Sequence, residues 1–293
     1  MDLPDSALPG LYQGADELSL RQQHRFLFAS RLRLALVVLA AAGGAFSITV
    51  AGGRLDLAAF VTVVALVGAV VTEMWLLVEM PEKGWYDGRA LAESAKTLAW
   101  RFAVGADPFP LDTASGDAGS RLVDQLRGLL RDAPDTAVVS TEAPAVSAAM
   151  RALRAADLDA RRAIYLQQRI DDQASWYRRK ARWNMGCARR WRIGLLVLET
   201  LGVAAALVRA VGIVQIDLAG IVAALIGAGV AWLATKQHDN LGRAYAFAGN
   251  ELGLARARLE GVSDEQRWAR EVADAEEAIS REHTMWRASR SSH

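Results

Sequence analysis

Apolar and charged residues are sorted into separate blocks along this chain. Leu34 to Ala51 carries no charge, Leu57 to Val78 carries only Glu73, Ile193 to Val208 only Glu199, and Leu218 to Ala234 none. A helix needs roughly 17–25 apolar residues to cross a bilayer core, a length the first two blocks meet and the last two barely reach. None has the polar stripe of a surface helix, which disfavours a soluble bundle with buried core helices. Short links, Gly52 to Asp56 and Arg209 to Asp217, pair the blocks and force antiparallel neighbours. The pattern predicts an all-α integral membrane protein with two transmembrane helical hairpins. Its four transmembrane helices fall at about 34–51, 57–78, 193–208 and 218–234, and long cytoplasmic helices make up most of the rest.

Outside the blocks the chain also reads as helical. Arg151 to Arg192 contains no proline, and no glycine before Gly186, so a long helix is predicted with Trp176, Trp183, Cys187 and Trp191 on one face. Trp85 to Ala103 continues out of the first hairpin, and Thr235 to Glu260 out of the second. Ser263 and Gln266 form a capping-box pattern. Beyond them Trp268, Val272, Ala275, Ile279 and Trp286 follow an a/d-like spacing, which calls for packing against another helix of this subunit or a neighbour. Pro110 to Pro144, rich in Asp, Ala, Ser and Pro, reads as a linker with one short docking helix at Leu122 to Leu130. The predicted organisation is a first unit at 1–110, a linker at 111–150, a second unit at 151–262 and a C-terminal amphipathic helix at 263–293.

Charge orients this arrangement. Arg21, Arg25, Arg31 and Arg33 precede the first hairpin, and Lys83 and Arg89 follow it. Arg178, Arg179, Lys180, Arg182, Arg189, Arg190 and Arg192 precede the second, with Lys236 and Arg243 after it. Each link holds one arginine, Arg54 or Arg209. The excess of basic residues on one side places both termini in the cytoplasm, with Trp191 and Trp232 as interfacial anchors. The net charge is only +1, so global polyanion affinity is not implied. Membrane insertion accounts for the arginine cluster, and no nucleic-acid partner is expected.

The remaining chemistry is sparse. One cysteine, Cys187, excludes an intrachain disulfide framework and reads as a small apolar residue. His24, His238, His283 and His293 lack metal-ligand spacing. The start, MDLPDSALPG, has no basic residue leading into a short apolar core, so no cleavable signal peptide is expected. There is no Ser/His/Asp arrangement, phosphate-cradling glycine loop or Cys/His cluster, hence no catalytic residue, metal or cofactor and no enzyme.

Two intramembrane acids and a set of small residues are the candidates within the blocks. Glu73 lies a few residues from the cytoplasmic end of its helix, while Glu199 lies about 10 Å inside. Such residues line a wet pathway or fasten helices together. Gly43 and Gly44, and Gly220, Ala223, Ala224, Gly227 and Gly229, permit close helix packing. Gly227-Ala228-Gly229 is not a dinucleotide fingerprint, because it sits within a helix with no preceding strand.

The halves also resemble each other at an offset of about 158 residues. Trp85-Tyr86 leads to Ala90 and Glu93 in the first, and Tyr245 leads to Ala248 and Glu251 in the second. Each hairpin enters and leaves on the same side, so the repeat is parallel in the membrane rather than inverted.

The segments flanking the hairpins resemble the SLATT family of two-transmembrane effector domains. The first half carries Trp85-Tyr86-Asp87-Gly88-Arg89-Ala90, Ala92-Glu93-Ser94, Lys96-Thr97, Trp100-Arg101, Gly105 and Pro108-Phe109. The second carries Tyr165, Arg169-Ile170, Asp172-Gln173, Trp176-Tyr177 and Lys180-Ala181, then Trp232, Lys236, Leu241, Ala244-Tyr245, Ala248 and Glu251-Leu252. These cover most of residues 11–110 and 158–260 as two fused units. The resemblance implies a bacterial inner-membrane effector associated with nucleotide-signalled defence, assembling as a homo-oligomer that forms or gates a pore in the lipid bilayer. It also implies a cytoplasmic interaction or gating role for Trp85, Tyr86, Arg89, Glu93, Lys96, Trp100, Trp176, Tyr177, Lys180, Tyr245 and Glu251. The chain has no recognisable nucleotide-sensing domain, so a trigger comes from a sensor partner or binds the cytoplasmic helices directly. The alternative is a membrane-anchored scaffold recruiting a signalling partner. A small transporter fits less well, because no broken helix is visible.

The topology has a direct test. Single cysteines introduced at Gly52 and Gln215 should react with an impermeant thiol reagent added outside the cell, and labelling from the inside alone would refute it.

Overall fold

The computed structural model describes residues 2–50, 55–111, 115–133, 137–139, 141–213 and 216–288. Gly52, Arg54, Gln215 and His293 lie outside the described residues, as do the side chains of His283 and Trp286. Helices run α1 Gly10–Gly44, α2 Leu57–Glu79, α3 Pro81–Val104, α4 Ser115–Arg131, α5 Ala148–Arg154 and α6 Leu158–Tyr165. A wide π-type turn over Leu166–Asp171 joins α6 to α7, Asp172–Ala210. Then follow α8 Leu218–Lys236, α9 His238–Glu260 and α10 Glu265–Ala288. Strands β1, Thr49–Val50, and β2, Leu55–Asp56, form a two-residue antiparallel ribbon with Thr49 opposite Asp56.

The chain divides into two compact units. One comprises Met1–Gln23, Glu82–Ala181 and Arg243–His293, and the other His24–Pro81 and Arg182–Gly242. Each draws on both halves of the sequence.

The second unit holds the hairpins. Among the described residues four helices are long and apolar enough to cross a membrane, and no more than 17 % of any apolar window is buried. That value decides against a soluble bundle, whose core helices bury such residues. The protein is a multi-pass membrane protein of two transmembrane hairpins.

In the first hairpin α1 ends at Gly44, so the predicted span 34–51 overshoots the helix. The cause is Asp56, which draws Ile48 and Ser47 into the link. Its carboxylate accepts from the Ile48 N–H at 3.1 Å and the Ser47 hydroxyl at 2.7 Å, and caps α2 through the Ala58 and Ala59 N–H groups. The second link repeats the device. Asp217 caps α8 through the Gly220 N–H at 3.1 Å and pairs with Arg209.

Both exit helices begin at a left-handed residue rather than continuing smoothly. Met80 (φ 42°) separates α2 from α3, and Gln237 (φ 48°) separates α8 from α9. Their N–H groups bond Leu76 and Leu233 carbonyls, closing the preceding helix. Non-glycine residues rarely adopt this conformation. Its recurrence at matching positions marks the duplication more clearly than the sequence does.

The first unit has a conventional core. On α3, Ala92, Ala95, Ala99 and Ala103 are fully buried and make one close-packed seam. Tyr165 stands edge-on to both Trp100 and Trp268, with centroids 5.8 Å apart in each pair. Trp268, Val272, Ala275 and Ile279 are buried in this core, so the stripe on α10 is satisfied within the subunit. The cap of α10 is Asp264, which accepts the Arg267 N–H at 2.8 Å, rather than Ser263. Ala118, Leu122 and Leu126 of α4 also join the core, so the docking helix is longer than Leu122 to Leu130.

On α7 the buried face is Ala174, Tyr177, Ala181, Asn184 and Ala188. Trp183 and Trp191 are exposed, so the predicted tryptophan stripe is not the packing face. Small residues let helices approach, and the bulkier indoles are left outside.

Of the two adjacent glycines in α1, only one is packed. A Cβ at Gly43 would stand 2.5 Å from Thr62 Oγ1 and 3.0 Å from the Ala58 carbonyl oxygen, whereas one at Gly44 would meet nothing within 4 Å. Gly43→Val should therefore destabilise the hairpin by about 1–3 kcal/mol while Gly44→Val is tolerated, measured by thermal unfolding in detergent.

Candidate functional site

The two intramembrane acids occupy different surroundings. Glu73 on α2 forms an ion pair with Arg33 on α1, a residue the sequence assigns to the basic flank. About two turns further along, Glu79 lies 3.6 Å from Arg25, which sits over the Trp75 ring. Two ion pairs therefore fasten α1 to α2. Glu199 on α7 is exposed and has no hydrogen-bond or ion-pair partner among the described residues.

Helix contact in the second hairpin falls on glycines other than most of those predicted. A Cβ at Gly202 would stand 3.1 Å from Val222, and one at Gly229 would stand 3.0 Å from Leu195. Gly227 faces open space, Gly220 sits against its own cap Asp217, and Ala224 is half-buried. The hairpins touch where Arg31 lies over the Trp232 ring, 5.0 Å from its centroid. Near the foot of the second hairpin, Arg192 pairs with Asp239 at 2.5 Å. Buried His238 bonds Asn184 at 2.7 Å through Nδ1.

All but two of the residues proposed for a cytoplasmic role sort into two groups in the first unit. In one, Arg89 binds Glu93 at 2.8 Å and faces Asp16 at 3.6 Å. Lys96 binds Asp5 at 2.7 Å and lies over the Tyr12 ring, and the Tyr12 hydroxyl donates to Asp5. Trp85 stacks on Tyr86, and its carbonyl accepts from Ser19. In the other group Trp176, Tyr177 and Tyr245 form an aromatic cluster with centroids 5.2–5.8 Å apart, capped by Lys180 over Trp176. Trp100 belongs to the core, and Glu251 is exposed where its repeat counterpart Glu93 is buried.

Sequence reasoning missed the most buried charges. Glu276 on α10 is fully buried and accepts from Arg169 Nε (2.8 Å) and Nη2 (2.7 Å), the Tyr165 hydroxyl (3.0 Å) and the Thr97 hydroxyl (2.9 Å). Burial alone would lower the Arg169 pKa, but Glu276 more than offsets this and holds the guanidinium charged. Burial and then Glu276 push the Tyr165 hydroxyl well above its ordinary value, so it remains a donor. Arg161 donates to the Val104 carbonyl at 2.7 Å and pairs with Glu265. One signal was visible: Glu276 falls on the apolar face of α10, aligned with Ala269, Val272 and Ile279.

These contacts fix helices in register; they do not align a nucleophile with a base. Two family models match the chain in tandem. One is SMODS and SLOG-associating 2TM effector domain 3, over residues 9–162, and the other is SMODS and SLOG-associating 2TM effector domain 1, over residues 165–286. Nothing matches among curated proteins or among solved structures.

Removing the charge of Glu276 isolates its role. Glu276→Gln should cost about 3–5 kcal/mol, because Arg169 is left buried without its counter-charge. Thr97→Ala, which removes one donor, should cost about 1 kcal/mol. Denaturant unfolding of the detergent-solubilised protein measures both.

Proposed function

The chain belongs to the SLATT family of SMODS and SLOG-associating two-transmembrane effector domains, with two units in tandem, and from that premise we propose a non-enzymatic effector that oligomerises to form or gate a pore. Its setting in this reading is the bacterial inner membrane, with both termini cytoplasmic, in a nucleotide-signalled defence system. The carrying observation is Glu199. An ionisable residue at the centre of a lipid-exposed helix costs about 2.5–3.5 kcal/mol on insertion scales, so such residues face a partner or water. Glu199 is exposed on its protomer and has no partner among the described residues, whereas Glu73 has Arg33. A neighbouring copy supplies the missing cover, and an aqueous lumen supplies the missing water. Four spans per subunit are too few to enclose a wide channel, which makes oligomerisation part of the claim. A sensor partner supplies the trigger.

A scaffold reading is supported by a different observation: the unit without the hairpins has its own buried core, and its helices can recruit a partner. Replacing both hairpins with unrelated ones separates the readings, since a scaffold keeps its activity and a pore loses it.

The purified protein should release a small dye from liposomes, and Glu199→Gln should change the rate or the ion selectivity of that release. Absence of leakage under every trigger, or an unchanged Glu199→Gln conductance, counts against Glu199 lining a pore.

A further inference from the structure

A cavity of about 680 Å³ opens in the first unit between the end of α3, α4 and α5. Its volume falls within the roughly 300–1,000 Å³ typical of small-molecule sites. Leu111, Val123 and Val146 give it an apolar wall, and Arg151 and Arg154, one turn apart on α5, give it two guanidinium groups.

The charge around it is unbalanced. Arg154 is buried and donates to the carbonyls of Phe102 (3.0 Å), Phe109 (2.6 Å) and Pro110 (2.8 Å), but among the described residues no carboxylate contacts it and its buried Nε has no partner. The neighbouring buried Arg161 takes Glu265. Burial, then the charge of Arg161, push the Arg154 pKa below its ordinary value. Arg151 is exposed, and its side chain has no hydrogen-bond or ion-pair partner among the described residues. The acid on the cavity wall, Asp124, is exposed and lies 3.1 Å from Arg127. Two cations without a counter-ion among the described residues, beside an apolar hollow, match a bound anion whose body is apolar, and guanidinium groups suit phosphate oxygens.

We propose that this cavity binds a soluble small organic phosphate, with its charged end at Arg151 and Arg154 and its apolar body against Leu111, Val123 and Val146. The site does not rest on the pore reading, because it is occupied or empty whatever the hairpins do. Carbonyls at the end of α3 already hold Arg154 in place, so the ligand adds to a preformed site.

The test uses the full chain in uncharged detergent, with AMP as probe, adenosine as its neutral counterpart, and calorimetry plus thermal unfolding as readouts. AMP should bind and raise Tm, and adenosine should not. Arg151→Gln should weaken AMP binding about tenfold, and Arg151→Glu should weaken it further. Gly119 lines the cavity, and a Cβ there would meet nothing within 4 Å, so Gly119→Phe should fill the hollow and abolish binding without a clash. Ligand-free Tm values matching the wild type establish that the variants are folded. AMP binding unaffected by the Arg151 variants and by Gly119→Phe overturns the site and places the anion elsewhere, such as the basic collar of α7. Equal binding of adenosine overturns the charge assignment, and no binding at millimolar AMP overturns the proposal. If anionic-lipid micelles displace AMP from the wild type and bind more tightly, the occupant is a lipid headgroup and the soluble-ligand assignment falls.

Discussion

A single buried carboxylate governs how the first unit is built. Glu276 on α10 accepts from Thr97 on α3, Tyr165 on α6 and Arg169 on the π-type turn, so three separate stretches of sequence must be in register. An ion pair taken out of water is costly unless its remaining hydrogen-bonding capacity is filled; here four donors converge on the two Glu276 oxygens, while Arg169 Nη1 is buried without a partner among the described residues. The wide turn at Leu166–Asp171 brings Leu166, Arg169 and Ile170 into the core together. The alanine seam of α3 then lets the backbones approach closely enough for Thr97 to reach. Breaking the register of any one helix strands a charge, so the network selects one packing over apolar alternatives of similar area.

The hairpins obey a different constraint. Their backbone polar groups are satisfied within each helix, as hydrocarbon requires, and their side chains are mostly unburied within the protomer. Specific contact is therefore concentrated at few points: Gly43 against Thr62, Gly229 against Leu195, and the Arg33–Glu73 pair. Aspartate caps at Asp56 and Asp217 close the links, where both helix dipole and free N–H groups favour an anion. Burial drives the first unit; close approach and pairing hold the second.

The sequence displayed the hairpins because long apolar blocks and charge asymmetry are strong local signals. It displayed the α10 core stripe for the same reason, through the spacing of Trp268, Val272, Ala275 and Ile279. It did not disclose which of several small residues packs. Gly43 and Gly44 are equivalent in composition, and only the phase of α1 against α2 separates them. The tryptophans of α7 looked like a packing face because indoles dominate area, yet the geometry favours Ala174, Ala181 and Ala188. Long-range partners were illegible too: Arg33 lies among other basic residues, and nothing local joins it to Glu73 forty positions away. Among the cytoplasmic candidates, pairs within one helix such as Arg89 and Glu93 could be read from spacing, whereas Asp16 and Tyr245 could not.

The duplication explains why the two acids differ. Each half supplies a hairpin, an aspartate cap and a left-handed break at Met80 or Gln237, yet the halves match different family models. Once fused, the halves no longer need identical surfaces. One can pair its intramembrane charge within the chain, as Arg33 and Glu73 do, while the other keeps an exposed acid, Glu199. The same divergence appears outside the hairpins, where Glu93 is buried against Arg89 and Glu251 is exposed. The two hairpins of one chain are therefore not equivalent surfaces: among the described residues the first pairs its acid within the chain, and the second leaves Glu199 exposed without a partner.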